Sequence, residues 1–340
     1  MERRGALMEF AKRAETDAAG RRAPRGGPVC AVLLAAVIGP AALLAVVRSV
    51  GLDRGFVLVW AMAVLPYLVP VLVLAAAAAL LLRRRGAALC AGLTGLALAA
   101  PMADRALPEG GAAGPDGPRV RVVALNAHFG HVDPERIVDL VDRHRPDVLA
   151  LQEVTPELAG GLREAGLEER LPHGVVRAAE AAAGGAVYAA HPVRDAGDVG
   201  REIGSLAMPG ASVEIGGAPP VEVVSVHPFS PRRSTIDRWR AGLRALPAPE
   251  DDVLRVLAGD FNATPDHAEF RAVLEKGYVD AADATGSGLA GTWPAHRPVP
   301  RIALDHVLAD ERIGIAGFEA DGGAGGAHRA VVADLVLPAA

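Results

Sequence analysis

Long apolar runs fill the first third of the chain. Residues 28–47, 56–82 and 87–102 contain no charged side chain. A helix needs about 20 apolar residues to cross a bilayer, so the first two runs predict membrane-spanning helices. The third run is shorter and rich in Ala and Gly, which makes it a weaker candidate. A buried helix of a soluble domain is the alternative for all three runs, and a cleaved signal peptide is an alternative for the first.

Positive charges predict the orientation of this membrane region, which we place at residues 28–103 with about three transmembrane helices. Residues 1–27 are basic, and residues 83–85 are three consecutive arginines. The loop after the first run carries only Arg48 and Arg54, together with Asp53. The positive-inside rule then places the N-terminus and residues 83–85 in the cytoplasm. With three spans, the rest of the chain is extracytoplasmic in a multi-pass protein of the cell membrane; the loss of one span would reverse this.

The pattern changes after the apolar runs. Residues 104–118 are rich in Gly and Pro and predict a flexible linker. Residues 119–340 have a globular composition and are long enough for a substantial core. Asp133 and Thr155 are each followed by Pro, which predicts the N-terminal caps of two helices. A third helix is predicted at residues 233–246. The predicted strands lie at residues 119–126, 147–151, 184–193, 221–227, 253–258, 301–310 and 328–337.

This alternation of strands and helices predicts the fold class. The strands are numerous and the chain has no dinucleotide-binding βαβ motif. We therefore expect an α/β domain of two packed sheets flanked by helices.

Charge and cysteine content narrow the picture of this domain. The whole chain has a net charge of −5, but residues 119–340 alone carry about −10 and hold all ten histidines. Cys30 and Cys90 both lie in apolar runs, so the predicted outer domain has no disulfide. This is compatible with an oxidising compartment but does not prove one.

Polar side chains recur where the predicted strands end. These positions offer carboxylate oxygens, imidazoles and amides, without cysteine and without a serine nucleophile elbow. Such hard oxygen ligands suit Mg²⁺, Mn²⁺ or Ca²⁺ better than zinc. His306, one residue after Asp305, is expected on the opposite face of its strand as a structural residue. The candidate residues are Asn126, Glu153, His227, Asp260, Asn262, Asp305 and His328.

The stretch "GDFN" pairs two of these candidates. If the strand before it continued, Asp260 and Asn262 would share one face and Phe261 would enter the core. The alternative is an ordinary turn, because Asp and Asn are common turn residues.

Eight short motifs resemble the successive motifs of the endonuclease/exonuclease/phosphatase superfamily. The resemblance covers about residues 119–337 and implies a four-layered α/β sandwich with its site where the two sheets open. The motifs are "LNAH", "LQEV", "GGAVYAAHPV", "VSVHPFSP", "LAGDFNATP", "GTWP", "LDHVLA" and "GAHRAVVADL".

The resemblance also implies metal and nucleophile roles. By this resemblance Glu153 is the main Mg²⁺ ligand and Asn126 lies beside it. Asp260 matches the residue that orients or deprotonates the attacking water, and Asn262 the one that holds a phosphoryl oxygen. His227 matches a histidine that protonates the leaving oxygen.

The resemblance assigns the remaining positions to the phosphate side. His328 matches the histidine that faces the phosphate, and Asp305 the carboxylate that hydrogen-bonds it. Thr292 falls on a threonine that often precedes that strand and is predicted to contact substrate. The role of His128 stays open. In the family's final motif an Asp usually precedes the histidine, but here Ala327 stands in its place.

The chemistry of a phosphodiester agrees with these roles. A divalent metal neutralises the anion, lowers the pKa of bound water and stabilises the leaving oxygen. The predicted function is a membrane-anchored, Mg²⁺-dependent hydrolase of phosphoesters, most plausibly phosphodiesters. Its substrate is a phospholipid headgroup, a nucleotide or a nucleic acid, and no protein partner is predicted.

Two alternatives remain from the sequence. The first is an extracellular endonuclease on DNA or RNA. The domain charge of about −10 opposes it, since nucleic-acid binding needs cationic side chains. The second is a binding module with impaired catalysis, suggested by Ala327. Five arginines after His227 form either a basic rim for nucleic acid or an ordinary solvated helix face: Arg232, Arg233, Arg238, Arg240 and Arg244.

Overall fold

The computed structural model describes residues 27–108, 116–297 and 299–340. The chain divides into two compact units. The first comprises Met1–Val46 and Pro66–Ala99, and the second comprises Val47–Leu65 and Ala100–Ala340. The predicted cytoplasmic segment 1–27 lies outside the described residues apart from Gly27, as do residues 109–115 of the predicted linker.

Four helices cover the predicted membrane region. Two of them, α1 and α4, are long and apolar enough to cross a membrane, and a third span exists if the bent pair Phe56–Ala63 and Leu65–Leu81 counts as one. The helices are α1 (Gly27–Ser49), α2 (Phe56–Ala63), α3 (Leu68–Leu81) and α4 (Arg85–Ala106).

The second and third apolar runs differ from expectation. Run 56–82 is not one continuous helix, because a 3₁₀ turn at Leu65–Tyr67 separates α2 from α3. Pro66 lies in that turn, and proline supplies no backbone N–H and blocks the preceding helical turn. The weaker third run is instead one continuous helix. That helix extends to Ala106, so residues 104–106 are helical and do not belong to the linker.

Residues of the second unit form two six-stranded mixed sheets within the described ranges. The first sheet has the order β11 (Gly314–Asp321), β12 (Ala330–Val336), β1 (Arg119–Asn126), β2 (Val148–Gln152), β4 (Gly185–Ala189), β3 (His173–Arg177). The second has the order β5 (Val193–Asp198), β6 (Pro209–Val213), β7 (Val221–Val226), β8 (Leu254–Asp260), β10 (Asp305–Asp310), β9 (Tyr278–Asp280).

Helices cover the outer faces of both sheets. Asp133 caps the first of them by accepting a hydrogen bond from the Glu135 N–H at 3.2 Å, and Thr155 caps the second through the Leu158 N–H at 3.2 Å. Both caps were predicted. The predicted helix 233–246 begins later, at Ile236. The helices are α5 (Pro134–His144), α6 (Pro156–Glu164), α7 (Leu167–Arg170), α8 (Val199–Glu202), α9 (Ile236–Ala245), α10 (Ala268–Leu274) and α11 (Ala281–Ala284).

Three buried clusters explain why these elements form four layers. One lies between the sheets and contains alternate residues of their strands, such as Val122 and Val223. The second packs α5 and α6 on the first sheet, and the third packs α9 and α10 on the second sheet. The helix–sheet–sheet–helix sandwich expected from the sequence is confirmed.

Each sheet has one parallel pair near its centre. In the first sheet β1 runs parallel to β2, with Asn126 opposite Gln152. In the second β7 runs parallel to β8, with Val226 opposite Gly259. Because the carboxyl ends of parallel strands lie at the same edge, each pair delivers two strand ends to one side of its sheet. The candidate site lies at these ends.

Candidate active site

Six of the eight predicted site residues line one cavity of about 800 Å³. The other two, Asp305 and Thr292, are buried beside it. The structure therefore brings the whole predicted set together. The six residues that line the cavity are Asn126, Glu153, His227, Asp260, Asn262 and His328.

The Asn126 side chain joins two carboxylates, those of Glu153 and Asp260. Together with His227 and His328 these residues form the polar floor of the cavity. Its Nδ2 donates to Glu153 Oε1 at 3.2 Å and to Asp260 Oδ2 at 2.9 Å, while its Oδ1 accepts from the His128 N–H at 2.9 Å. The backbone donor fixes which end of the amide faces the carboxylates. In this arrangement Asn126 bridges Glu153 and Asp260 as a hydrogen-bond donor, and its role as a metal ligand stays a prediction.

Glu153 is held by the loop that follows β1. Its Oε2 accepts a hydrogen bond from the Phe129 N–H. The backbone of Glu153 has φ of 59°, a left-handed conformation that is uncommon for residues other than glycine. Such conformations cluster at functional sites, where the surrounding structure maintains them. The carboxylate thus leaves the end of β2 at an angle that a regular strand would not provide.

Asp260 and Asn262 both reach the cavity, but not because they share a strand face. Strand β8 ends at Asp260, and Asn262 has φ of 48°. The Asn262 N–H donates to Asp260 Oδ1 at 2.8 Å, which makes the segment an Asx turn. Phe261 enters the core as predicted and is fully buried. The alternation argument gave the correct placement for the wrong local reason, because the turn replaces the strand.

His227 follows β7 and faces both carboxylates. Its Nε2 lies 3.4 Å from Glu153 Oε1 and 3.9 Å from Asp260 Oδ2. Its Nδ1 is buried and has no hydrogen-bond partner among the described residues. Since a buried N–H without an acceptor is costly, the neutral ring carries its proton on Nε2, toward the carboxylates.

His328 forms a second imidazole contact across the cavity. Its Nδ1 donates to Asp305 Oδ2 at 2.9 Å, and its Nε2 lies 3.7 Å from Asp260 Oδ2. Burial lowers the pKa of His328, but the Asp305 and Asp260 carboxylates outweigh burial and raise it to about 9. The ring is therefore a cation at neutral pH.

Thr292 contacts the start of β10. Thr292 Oγ1 accepts from the N–H groups of Leu304 at 3.0 Å and Asp305 at 3.2 Å, so it fixes the start of β10 instead of lining the cavity.

Burial raises the pKa of Asp260. The positive charge of His328 opposes this rise, and the negative charge of Asp305 reinforces it. A carboxylate in this setting accepts a proton more readily than an exposed aspartate.

The carboxylate oxygens of the site fit a divalent cation, whereas a protonated His328 has no free lone pair to bind one. Ligand atoms of Asp260, Asp305 and His328 lie within 4.8 Å of one another, the one such group of three found among the described residues. Glu153 adjoins this group through the Asn126 bridge. Carboxylates in this number suit Mg²⁺ or Mn²⁺. Ala327 lines the same cavity but offers no ligand atom.

Two residues that the sequence did not single out hold the sheets together beneath the site. Gln152 Nε2 on β2 donates to Ser225 Oγ on β7 at 2.9 Å, and Ser225 Oγ donates to Leu151 O at 2.9 Å. Gly259 makes this approach possible, since a Cβ there would lie 2.7 Å from Gln152 Nε2. The sequence signal for Gln152 was the "QE" motif, which alone is too common to indicate a function.

A second missed group comes from the predicted membrane region. Val59, Trp60 and Ala63 of helix α2 also line the cavity. Their sequence is apolar throughout and predicts only a span. His306, by contrast, behaves as expected: its Nδ1 pairs with Asp280 Oδ2 at 2.8 Å, and it does not line the cavity.

Most of the five arginines after His227 contact other side chains of the same chain. Arg238 stacks on the Phe229 ring at 3.8 Å, Arg244 pairs with Glu269, and Arg240 Nε lies 3.6 Å from the same carboxylate. Arg233 lies over the Phe56 ring at 5.2 Å. Arg232 is the member of this group that lines the cavity. The group thus does not form the continuous basic rim that a nuclease would need.

Comparisons with solved structures agree with the fold. A protein described as endonuclease/exonuclease/phosphatase from Beutenbergia cavernae DSM 12333 matches with a TM-score of 0.50 and 21% identity, over 65% of this chain and 72% of that chain. A humanized D. rerio TDP2 matches with a TM-score of 0.51 and 16% identity, over 64% and 98%.

Sequence comparison identifies the family. A search among curated proteins gave no significant match. The profile of the Endonuclease/Exonuclease/phosphatase family, however, matches residues 123–327. Enzymes of this family are generally phosphoester hydrolases that use divalent metals. Because the match covers more than half of the chain, this chain belongs to the endonuclease/exonuclease/phosphatase family.

Proposed function

We propose that the chain is a membrane-anchored, divalent-metal-dependent phosphodiesterase. The observation that carries this proposal is the Asn126 side chain, which donates to both Glu153 and Asp260 while two imidazoles face the same carboxylates. Two acidic and two basic groups thus converge on one cavity. This combination supports hydrolysis of an anionic ester, which needs a proton acceptor, a proton donor and positive charge at once.

Asp260 is the proposed proton acceptor. It orients a water molecule, whose oxygen forms a bond to phosphorus while the bond to the leaving oxygen breaks in line. The proton of that water passes to an Asp260 oxygen. Burial raises the pKa of this carboxyl, which favours the transfer. The Asn262 N–H and the Asn126 amide hold the carboxylate in place at 2.8 and 2.9 Å.

His227 is the proposed proton donor to the leaving oxygen. Its Nε2 faces the cavity, within 4 Å of the carboxylates. The donor is the imidazolium form of the ring: its Nε2 proton passes to the leaving oxygen, and the ring becomes neutral. His328, as a cation oriented by Asp305, attracts the phosphoryl oxygens. Asn262 donates one amide hydrogen to Pro228 O at 3.1 Å, and its second amide hydrogen is assigned to a phosphoryl oxygen.

Glu153, with Asn126 and Asp260 beside it, is the proposed holder of Mg²⁺, and Mn²⁺ or Ca²⁺ are alternatives. A bound divalent ion would neutralise phosphate charge and lower the pKa of water. The chain's own contribution is to keep two carboxylates adjacent in a buried position, with exposures of 7% and 1%. Without a cation their mutual repulsion is offset by the Asn126 hydrogen bonds and the two imidazoles.

The membrane anchor is proposed to place this site outside the cytoplasm. Helices α1 and α4 are apolar enough to span, and the arginines at 83–85 favour the cytoplasmic side for the loop between α3 and α4. A Glu311→Cys substitution on the exposed end of β10 tests this. A membrane-impermeant maleimide should label the variant in intact cells, and labelling only after lysis would contradict the orientation.

The activity is tested with the full chain in detergent or amphipol. We expect hydrolysis of bis-p-nitrophenyl phosphate with Mg²⁺, loss of hydrolysis with EDTA and recovery when Mg²⁺ is restored. Plasmid DNA serves as a second substrate, and nicking at comparable efficiency would favour the endonuclease. If no phosphoester is hydrolysed with any of the three metals, the chain is a binding module, as Ala327 suggests.

A further inference from the structure

One wall of the catalytic cavity is built by a helix from the predicted membrane region. Val59, Trp60 and Ala63 of α2 line the same cavity as Asp260 and His227. These α2 residues belong to the same compact unit as the sandwich. A substrate bound in this cavity would contact the α2 residues that line it. The chemistry of those residues therefore indicates what part of the substrate they bind.

Helix α2 is fixed to the sandwich by specific contacts. Val59 is fully buried in the cluster that covers the second sheet, and its carbonyl lies 2.8 Å from His267 Nε2. Trp60 Nε1 donates to Pro231 O at 2.9 Å. Pro231 lies in the loop that begins with His227. The position of the Trp60 ring is therefore set by the same loop that carries a catalytic imidazole.

The chain segments before α2 and at the end of α4 are clamped to the same place. Asp266 accepts from Arg48 Nε at 2.6 Å and from Arg105 Nη2 at 2.8 Å. Burial raises the pKa of Asp266, but hydrogen bonds from Arg105 and Arg48 outweigh burial and lower it below its usual range. Asp53 Oδ2 accepts from the Ala268 N–H at 3.1 Å. These contacts attach the segment that precedes α2 to the sandwich, in addition to the contacts of α2 itself.

The wall differs in chemistry from the floor. The floor offers carboxylates, amides and imidazoles, whereas α2 offers the apolar surfaces of Trp60 and Ala63. Trp60 is 46% exposed although it is a large apolar side chain. Because a tryptophan in this position gains free energy when an apolar group covers it, the wall suits a hydrocarbon substituent next to the phosphate.

A nucleic acid fits this wall less well. The domain carries about −10, and two of the arginines after His227, Arg238 and Arg244, are engaged with Phe229 and Glu269. Arg232 and Arg297 line the cavity. The chain also continues from α2 through one turn into the apolar helix α3.

We propose that the substrate is a lipid phosphodiester whose phosphate occupies the polar floor and whose hydrocarbon chain lies against Trp60 and Ala63. This proposal rests on the proposed phosphodiesterase function and names its substrate class. Trp60 is the specificity-determining residue: it contacts the apolar substituent and takes no part in the transfer of protons.

A pair of chromogenic esters tests the proposal. Methyl p-nitrophenyl phosphate and dodecyl p-nitrophenyl phosphate share the leaving group and differ only in the alkyl chain. The dodecyl ester is presented below its critical micelle concentration to the full chain in amphipol with Mg²⁺. We expect kcat/KM for the dodecyl ester to exceed that for the methyl ester by at least about tenfold.

Three variants assign that preference to the wall. Trp60→Ala should lower the dodecyl-to-methyl ratio at least about tenfold, and Trp60→Phe, which keeps an apolar ring, should retain it within about threefold. Val57→Ala is the matched control, because Val57 lies on the same helix, is 69% exposed and does not line the cavity. Its ratio should stay within about twofold of wild type.

Other outcomes overturn the proposal in distinguishable ways. Equal kcat/KM for both esters in the wild type refutes the lipid substrate and leaves the phosphodiesterase intact. If Trp60→Phe loses the preference as completely as Trp60→Ala, the Pro231 hydrogen bond is what matters and the wall is structural. If neither ester is hydrolysed, the proposed function fails and the lipid proposal fails with it.

Discussion

The two sheets have the same central plan but supply different chemistry. Each has a parallel pair whose ends reach the cavity, β1 with β2 and β7 with β8. The first sheet and its loops contribute Glu153, the Asn126 bridge and His328. The second contributes Asp260, Asn262 and the proton-bearing His227, and it supplies Asp305 to orient His328 from across the cavity. The proposed catalytic set comes together only where the two sheets pack against each other.

The sheets also differ in how much buried charge they hold. Asp260, Asp280, Asp305 and Asp310 are buried carboxylates of the second sheet, whereas Glu153 is the buried carboxylate that follows the first sheet's central pair. The second sheet is also the one whose outer cluster includes Val59 from the predicted membrane region. Buried carboxylates and the contact with Val59 of the predicted membrane region are thus concentrated on one half of the sandwich, and we expect that half to be the more sensitive to substitution.

Asp260→Ala should have the largest effect, because it removes the proposed proton acceptor of the second sheet. We expect kcat/KM for bis-p-nitrophenyl phosphate to fall at least about 1000-fold. Asp310→Asn is the control, since Asp310 is equally buried at the far end of β10 and pairs with Arg312. A drop of less than about tenfold for Asp260→Ala would show that proton acceptance lies elsewhere.

Asp305→Asn should have the next largest effect. It tests whether Asp305 of the second sheet acts on His328 of the first. The change removes the carboxylate that orients His328 and keeps it charged, and we expect kcat/KM to fall about 100-fold. Asp280→Asn breaks the matching buried pair with His306, whose Nδ1 lies 2.8 Å away, outside the cavity.

The two variants are compared by melting temperature and by activity per folded protein. Both should destabilise the chain, but Asp280→Asn should keep kcat/KM within about threefold of wild type. Similar losses in the two variants would mean that the His328 pair acts only through stability.

The sequence was sufficient for the fold and for the convergence of the candidate residues. Strand-end polarity predicted that Asn126, Glu153, His227 and Asp260 would meet, and they line one cavity, because parallel strand ends at one sheet edge converge whatever the loop details. Alternation of strand and helix patterns predicted two packed sheets flanked by helices, and the family resemblance implied the four layers. These properties depend on periodicity, which a single sequence records.

Local geometry and long-range packing were beyond the sequence. The turn at Asn262 and the left-handed Glu153 depend on backbone angles that strand alternation does not report. The amide orientation of Asn126 depends on a hydrogen bond from the His128 N–H. Trp60 could not be assigned to the cavity, because an apolar run predicts burial in lipid and in protein equally well. Pro66 was the one visible sign that the run is divided.

Ala327→Asp should have a smaller effect. It adds a carboxylate to the first sheet, which has fewer buried carboxylates than the second. Ala327 lines the cavity in the loop before β12, where the family usually has a carboxylate. An aspartate there gives a bound cation another oxygen ligand, so the Mg²⁺ concentration for half-maximal activity should fall about tenfold. Ala327→Asn is the isosteric control without charge. An unchanged metal requirement in Ala327→Asp would mean that the first sheet already binds the cation fully.

Asp283→Asn should have the smallest effect and test whether buried charge limits the stability of the second half. Asp283 lies in α11 after β9, and its Oδ1 is buried without a hydrogen-bond partner among the described residues. Burial, reinforced by the nearby Asp280 carboxylate, raises the pKa of Asp283 to about 7.

The sign of the pH dependence follows from this raised pKa. Between the ordinary value of 3.8 and about 7, the unfolded chain releases a proton that the folded chain retains, so rising pH destabilises the fold. The penalty is complete above about pH 7. Because the side chain is partly exposed, we expect Asn to stabilise the protein by about 1 kcal/mol at pH 8 and by almost nothing near pH 4. Melting curves of the full chain at the two pH values measure this. An equal gain at both values would assign the effect to packing instead of charge, and the second sheet would then carry its excess of carboxylates at no cost.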